Sequence, residues 1–379
     1  MKITGAVVFG NDNSFHYRDI FIKDDKFTGE NEDDEITDAR GCYAIPGLID
    51  IHFHGALGAD VCDGTPEAFE KIAGYELSRG VTSICPATLT LPIPQLKDIL
   101  RLGAEFASKK RTDVSELIGF NMEGPFISRE KKGAQNEDYI LKCSDETAME
   151  FVKAAGGLLK IIGLAPEENP GYVEFITKMK EQVRISLAHT GSDYETAMRA
   201  FGAGASHAVH LYNAMTGLHH RDPGVVGAVA DSKDVTAELI CDGIHIHPSV
   251  VRTTFRMMGG ERIAMISDSL RATGMPDGLY DLGGQRVEKK GRICRLCDGG
   301  AIAGSASDLM DCLVRAVNEM GIPLEAAVRS CTSVPARAIG ESARFGTIES
   351  GRQADLVLLD KKDLSLRGVY KRGKEVPIH

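Results

Sequence analysis

A chain of 379 residues is long enough for one large domain with a smaller companion. Its net charge of −10 argues against non-specific nucleic-acid binding and against docking on an anionic membrane, while leaving room for a local basic pocket. The first residues, Met1-Lys2-Ile3-Thr4-Gly5, lack the apolar core of a signal peptide. No apolar run approaches the ~20 residues of a membrane span, and nine scattered Cys suit a reducing cytoplasm better than a disulfide framework.

Residues 1–45 alternate short β-like runs, such as 6–9 and 18–22, with acidic turns, and 31–35 read as a solvated acidic turn. No helical period appears there, so a small β module is predicted. From residue 49 the pattern changes. Short apolar runs recur at 49–54, 81–86, 117–122, 158–164, 184–189, 208–212, 236–241 and 262–267. Amphipathic stretches fill most of the gaps, at 66–79, 94–109, 145–155, 172–180, 193–201 and 248–258. Strand-helix alternation implies parallel strands with right-handed crossovers. Eight such units predict a (β/α)8 barrel; an open doubly wound sheet is the runner-up, weakened by the lack of an early Gly-x-Gly-x-x-Gly. Beyond the eighth run, 279–296 reads as a hairpin insertion, 305–319 and 323–331 as helices, and 345–348 and 354–360 as a return to β. The prediction is therefore an α/β protein. A TIM-type barrel over 46–345 stands beside a small β-sandwich built by both chain ends, 1–45 and 346–379.

The chemistry lies at the ends of the strand runs, because the C-terminal ends of barrel strands build the active site. His52 and His54 close the first run. Two residues apart on a strand, their rings share a side and can hold one divalent cation; taken alone they equally suit ordinary hydrogen bonding. Glu123 ends the third run, His189 the fifth and His210 the sixth. Asp242 and His245 follow the seventh, and Asp268 the eighth. Positions scattered in sequence thus form one ring of imidazoles and carboxylates, which points to a metal centre.

These residues also carry a resemblance. The stretch Pro46-Gly47-Leu48-Ile49-Asp50-Ile51-His52-Phe53-His54-Gly55 resembles the first-strand signature of the amidohydrolase superfamily. Further in, Glu123-Gly124-Pro125-Phe126, His210-Leu211-Tyr212-Asn213-Ala214-Met215, Asp242-Gly243-Ile244-His245, Ala303-Gly304-Ser305 and 351–357 resemble its N-acetylglucosamine-6-phosphate deacetylase branch. The resemblance implies that Glu123, His189 and His210 hold a principal metal ion, zinc first, with iron, manganese or cobalt as alternatives. It implies Asp268 as the catalytic acid/base acting on a metal-activated water. It implies substrate contacts at Asn213, Ala214, Arg221, Asp242, His245, Ile302, Ala303 and Gly304, with Arg221 serving the neighbouring subunit of a homodimer. Ala134 and Gln135 fall in a further substrate-facing segment, where Gln135 replaces a family His. Because both His52 and His54 are present, a second ion is expected beside the first, with Glu123 between them.

The implied reaction is hydrolysis of an amino-sugar phosphate's N-acetyl group in the cytoplasm. N-acetylgalactosamine-6-phosphate deacetylation, cyclic-amide hydrolysis, deamination and aminoacylase activity are the alternatives, and a non-catalytic scaffold is a third class. Cyclic amidases that bridge two metals with a carboxylated Lys find none near 164–167 here. Three other features carry less. Cys294-x-x-Cys297 is a lone pair without a second one, His247 before Pro248 reads as a helix start, and His219-His220 reads equally as a basic lip or an exposed turn.

Overall fold

A computed structural model describes residues 1–29 and 35–378, so residues 31–34 of the expected acidic turn lie outside the described residues. Among the described residues, eight parallel barrel strands follow the predicted order. They are Leu48–Asp50, Val81–Ile84 continued by Ala87–Thr88, Glu116–Leu117 continued by Phe120–Phe126, Leu159–Leu164, Arg184–Leu187, His207–Ala208, Thr236–Ile240 and Ile263–Ile266. Pairing runs round in sequence, for example Ile84 with Asp50, Ala87 with Asn121, Leu164 with Leu187, and Ile240 with Ile266. The ring closes just beyond the last strand, where the Asp268 amide donates to the His52 carbonyl at 3.0 Å and the His54 amide to the Ser269 carbonyl at 2.7 Å. The first strand needs Gly47 before it, since a Cβ there would lie 2.2 Å from the Thr82 hydroxyl.

The helices begin where local chemistry favours it. Thr65, Ser144, Asp193 and Asp308 cap Pro66–Ser78, Asp145–Ala154, Tyr194–Ala203 and Leu309–Asn318 by accepting backbone N–H groups. His247 caps Pro248–Met258, with Pro248 at the first helical position, so it starts a helix as expected. The helix Gly224–Asp231 escaped the periodicity because its Val-Val-Gly-Ala-Val run is buried all round and has no polar face. The sixth strand stops at Ala208, short of the expected 212, because His210 and Tyr212 adopt left-handed φ of 24° and 78° that a ladder cannot continue.

The insertion is larger than a hairpin. It is a four-stranded antiparallel sheet, Gly278–Leu282, Gln285–Lys290, Ile293–Leu296 and Ile302–Ser305, ending where a helix was expected to begin. Residues 345–348 form no strand. Phe345 instead packs with Val334, Ala336 and Ile339 against Ile49, Ile118, Ile161 and Ile266, plugging the barrel interior.

The two chain ends meet as predicted. Cys42–Pro46 pairs with Leu356–Asp360 inside a six-stranded sheet, which faces a four-stranded sheet of N-terminal segments. Ile3, Val8, Ile20, Ile22, Phe27, Ala44 and Leu358 fill the space between. Sandwich and barrel are tied by charge. Glu116, opening the third barrel strand, meets Arg344, Arg372 at 2.9 Å and Lys371 at 3.5 Å, and Lys371 also pairs with Asp355 at 2.7 Å.

Candidate active site

Four imidazoles converge on one carboxylate at the C-terminal mouth of the barrel. One oxygen of Glu123, Oε1, lies 2.7 Å from His189 Nε2, 2.8 Å from His210 Nε2 and 3.6 Å from His52 Nε2. The other, Oε2, lies 3.5 Å from His54 Nε2. Asp268 Oδ1 is 3.3 Å from His54 Nε2 and 3.9 Å from His52 Nε2. Two ligand sets result, His52/His54/Glu123 and Glu123/His189/His210, sharing Glu123, with donor atoms within 4.8 Å of one another in each.

The ring orientations are set from behind. His54 Nδ1 donates to the Ala87 carbonyl at 3.2 Å, His189 Nδ1 to the Lys131 carbonyl at 2.7 Å, and His210 Nδ1 to the Asn213 carbonyl at 3.1 Å. His52 Nδ1 faces Glu238 at 2.7 Å. With Nδ1 carrying the proton, each Nε2 presents a lone pair toward Glu123. Lone pairs and a carboxylate crowded together in a buried pocket repel one another unless a cation lies among them. His52 Nε2, fully buried, has no hydrogen-bond partner among the described residues. The donor set of neutral imidazoles and carboxylate suits zinc or another divalent transition ion. Where no cation is bound, burial works to raise the Glu123 pKa, but protons on the facing imidazoles, His189 foremost, take the cation's place and hold it well below the usual carboxylate range. In that state burial likewise opposes ionisation of Asp268, but the His54 ring and the charge of a protonated His52 outweigh it and favour the ionised Asp268.

The backbone is strained where the site is built. His189, His210, Ala214 and Asp268 take positive φ of 44°, 24°, 51° and 51°. Non-glycine residues there cost on the order of 1–3 kcal/mol each, a cost that a well-packed scaffold sustains at functional positions.

A cleft of about 300 Å³ opens over these groups, lined by His54, Glu123, His189, His210, His245 and Asp268. Of the predicted substrate contacts, Ala134, Gln135, Asn213, Ala214, Ile302, Ala303 and Gly304 lie along its wall, and Lys131 and Leu89 also line it. Gln135 accepts from the Thr90 amide at 2.6 Å and donates to Glu123 Oε2. Asp242 is fully buried and does not reach the cleft; it accepts from the His245 ring at 2.8 Å and from the His245 and Ile244 amides at 2.9 and 2.8 Å. Burial disfavours charge on His245, yet Asp242 raises its pKa. Arg221 also lies outside this cleft. It is exposed beside His219 and His220, and its guanidinium makes no hydrogen bond or ion pair among the described residues. The two histidine rings lie tilted against each other in an exposed turn, centroids 4.2 Å apart. A larger hollow of about 750 Å³ on the sandwich, lined by Asp12, His16, Arg18 and Arg352, contains neither of the candidate ligand sets.

The sequence reading passed over two supporting groups. Asn121 and Glu238 sit fully buried under the histidines. A lone Glu inside the apolar run Thr236–Ile240 was the available signal for the second. All nine Cys are free thiols; Cys294 is buried and Cys297 exposed.

Known proteins resemble this chain over most of its length. The amidohydrolase family matches residues 43–376. An N-acetylglucosamine-6-phosphate deacetylase of Bacillus subtilis (strain 168) is 36% identical over 329 residues, 86% of this chain and 82% of that one. An N-acetylgalactosamine-6-phosphate deacetylase of Escherichia coli O157:H7 is 35% identical over 341 residues, 89% of each chain. A solved N-acetyl-D-glucosamine-6-phosphate deacetylase variant from Mycobacterium smegmatis, in complex with N-acetyl-D-glucosamine-6-phosphate, superposes with a TM-score of 0.92 at 26% identity, covering 100% of this chain and 99% of that one.

Proposed function

Since the chain belongs to the amidohydrolase family, we propose that its cleft hydrolyses the N-acetyl amide of N-acetylglucosamine 6-phosphate, yielding glucosamine 6-phosphate and acetate. The observation that carries this reading is the convergence of four Nε2 atoms on Glu123 with Asp268 3.3 Å from one of them, at the floor of a cleft sized for a small ligand. Glu123, His189 and His210 would hold one divalent ion, and His52 and His54 with Glu123 a second, zinc being the first choice. Bound there, such an ion acidifies a water and polarises an amide carbonyl.

The remaining steps belong to the chain. Asp268 accepts the proton of the water that adds to the acetyl carbon. It then returns that proton to the sugar nitrogen as the C–N bond breaks, so the amine leaves neutral. The strained φ of Asp268 aims its carboxylate at the cleft floor, beside His54. His245, its Nδ1 engaged by Asp242, turns Nε2 to the cleft and orients the amide. Asn213, Ala214 and the 302–304 strand shape the sugar pocket, and Asp242 acts through His245.

The 6-phosphate calls for a cation, and Lys131 is the one that lines this chain's own cleft. Arg221, exposed and without an acceptor, would reach the cleft of a second copy in a homodimer; its planar, permanent charge suits a phosphate. No helix among the described residues is long and apolar enough to cross a membrane. The proposed role is in cytoplasmic amino-sugar catabolism.

Acetate release is the test, measured with N-acetylglucosamine 6-phosphate, N-acetylgalactosamine 6-phosphate and unphosphorylated N-acetylglucosamine. Turnover of the first and little of the third is expected. The second substrate matters because a relative carries that name; preference for it would reassign the sugar while keeping the chemistry. A metal-loaded sample releasing no acetate from any of them would favour a scaffold.

A further inference from the structure

Glu238 sits in the middle of the seventh barrel strand, fully buried below the histidines and away from the cleft lining. Four groups point at its two oxygens. Oε1 receives Asn121 Nδ2 and His207 Nε2, both at 2.9 Å; Oε2 receives His52 Nδ1 at 2.7 Å and the His210 amide at 3.1 Å. The Asn121 and His210 N–H groups can only donate, and with His52 and His207 donating as well, all four neighbours favour the anion. Among the four histidines that face Glu123, three rest their Nδ1 on main-chain carbonyls, which are neutral. His52 alone rests on a charge. An anionic partner makes the opposite ring nitrogen a stronger donor to a metal and fixes the tautomer that offers it. That opposite nitrogen is the buried Nε2 without a hydrogen-bond partner, facing Glu123 at 3.6 Å and Asp268 at 3.9 Å.

We propose that Glu238 is a positioning residue for the second ion: its anion holds His52 as a metal donor and so decides whether the His52/His54 half of the centre is occupied. The inference rests on the two-ion reading above. Its selectivity follows from the contacts. The first ligand set meets Glu238 only through the His210 backbone amide, whereas His52 meets it through the ring that would bind metal.

Glu238→Gln tests it, because the amide keeps the size and can still accept from His52 while the charge is lost. Metal content after dialysis and chelator-competition titration are the readouts. Wild type is expected to hold two ions. The variant is expected to bind the second about 10–100-fold more weakly and the first unchanged. In a His52→Gln background, adding Glu238→Gln should change nothing further. Two ions bound at wild-type affinity by Glu238→Gln would overturn the proposal. So would a weakened first ion in the His52→Gln background, which would mark Glu238 as general scaffolding. A single ion in wild type would overturn the two-ion reading itself, a separate failure. Should Glu238→Gln not fold, Glu238→Asp keeps the charge but withdraws it from His52. The same selective loss is expected there, and wild-type occupancy of both ions would count against the idea.

Discussion

His189 Nε2 and His210 Nε2 lie 3.2 Å apart, and both face the same oxygen of Glu123. Since each ring donates through Nδ1 to a carbonyl, the three facing atoms share no proton in the neutral tautomers. A divalent cation turns that repulsion into coordination. Chelator-stripped protein should therefore lose acetate release and melt at a lower temperature, and added divalent metal should restore both. Binding at a hundredfold excess over Kd contributes about 2.7 kcal/mol of stability, enough to see in a melting curve. Metal-free protein with full activity would end the proposed chemistry.

Asp268 stands beside the ligand sets without completing either of them. Asp268→Asn should keep its metal and its fold while kcat drops about 10²–10⁴-fold, the usual worth of a placed acid/base. Metal analysis and steady-state kinetics on the same preparation separate the roles. A variant that lost metal in proportion to activity would show Asp268 to be a ligand instead.

The barrel and the ring of His52, His54, Glu123, His189, His210 and Asp268 were legible because strand ends recur at a regular spacing and the barrel gathers them. What stayed hidden depends on contacts between distant segments. Gln135 reads as a substrate-facing residue, yet its amide spans Thr90, just past the second barrel strand, and Glu123 on the third. Asp242 reads as part of a binding motif, yet burial leaves it to act through His245. Phe345 lies in a β-like run, yet its ring is buried against Ile49, Ile118, Ile161 and Ile266 of the barrel strands and their flanks. Local pattern names the residue types at the site; tertiary packing decides which of them face the ligand.

Arg221 gives a test of assembly. If it serves a neighbouring cleft, Arg221→Ala should raise KM for the phosphorylated sugar and leave the low rate with the unphosphorylated sugar unchanged. Mixing Arg221→Ala with Asp268→Asn chains should then recover activity, because each hybrid dimer holds one complete site. Random pairing places the recovery at about a quarter of wild type. Chains that exchange but regain nothing would put Arg221 in its own subunit's chemistry or outside the reaction.

Glu116 couples pH to stability at the junction of barrel and sandwich. Burial pushes its pKa up, but Lys371 and Arg344 pull harder and bring it from an ordinary 4.5 down to about 2. A carboxylate depressed in the folded state adds stability that is present above pH 4.5 and fades as pH falls toward 2. Glu116→Gln keeps the shape but removes the shared anion, leaving Arg344 with Glu341, Arg372 with Asp25 and Lys371 with Asp355. At pH 7 the variant should melt roughly 2–5 °C below wild type. That gap should narrow as both proteins are acidified through the window below pH 4.5, because wild type then loses the charge that the variant never had. Thermal melts of both proteins across that range, at matched ionic strength and metal content, measure the gap directly. A gap that stayed constant with pH would mean that Glu116 acts by packing and not by its charge.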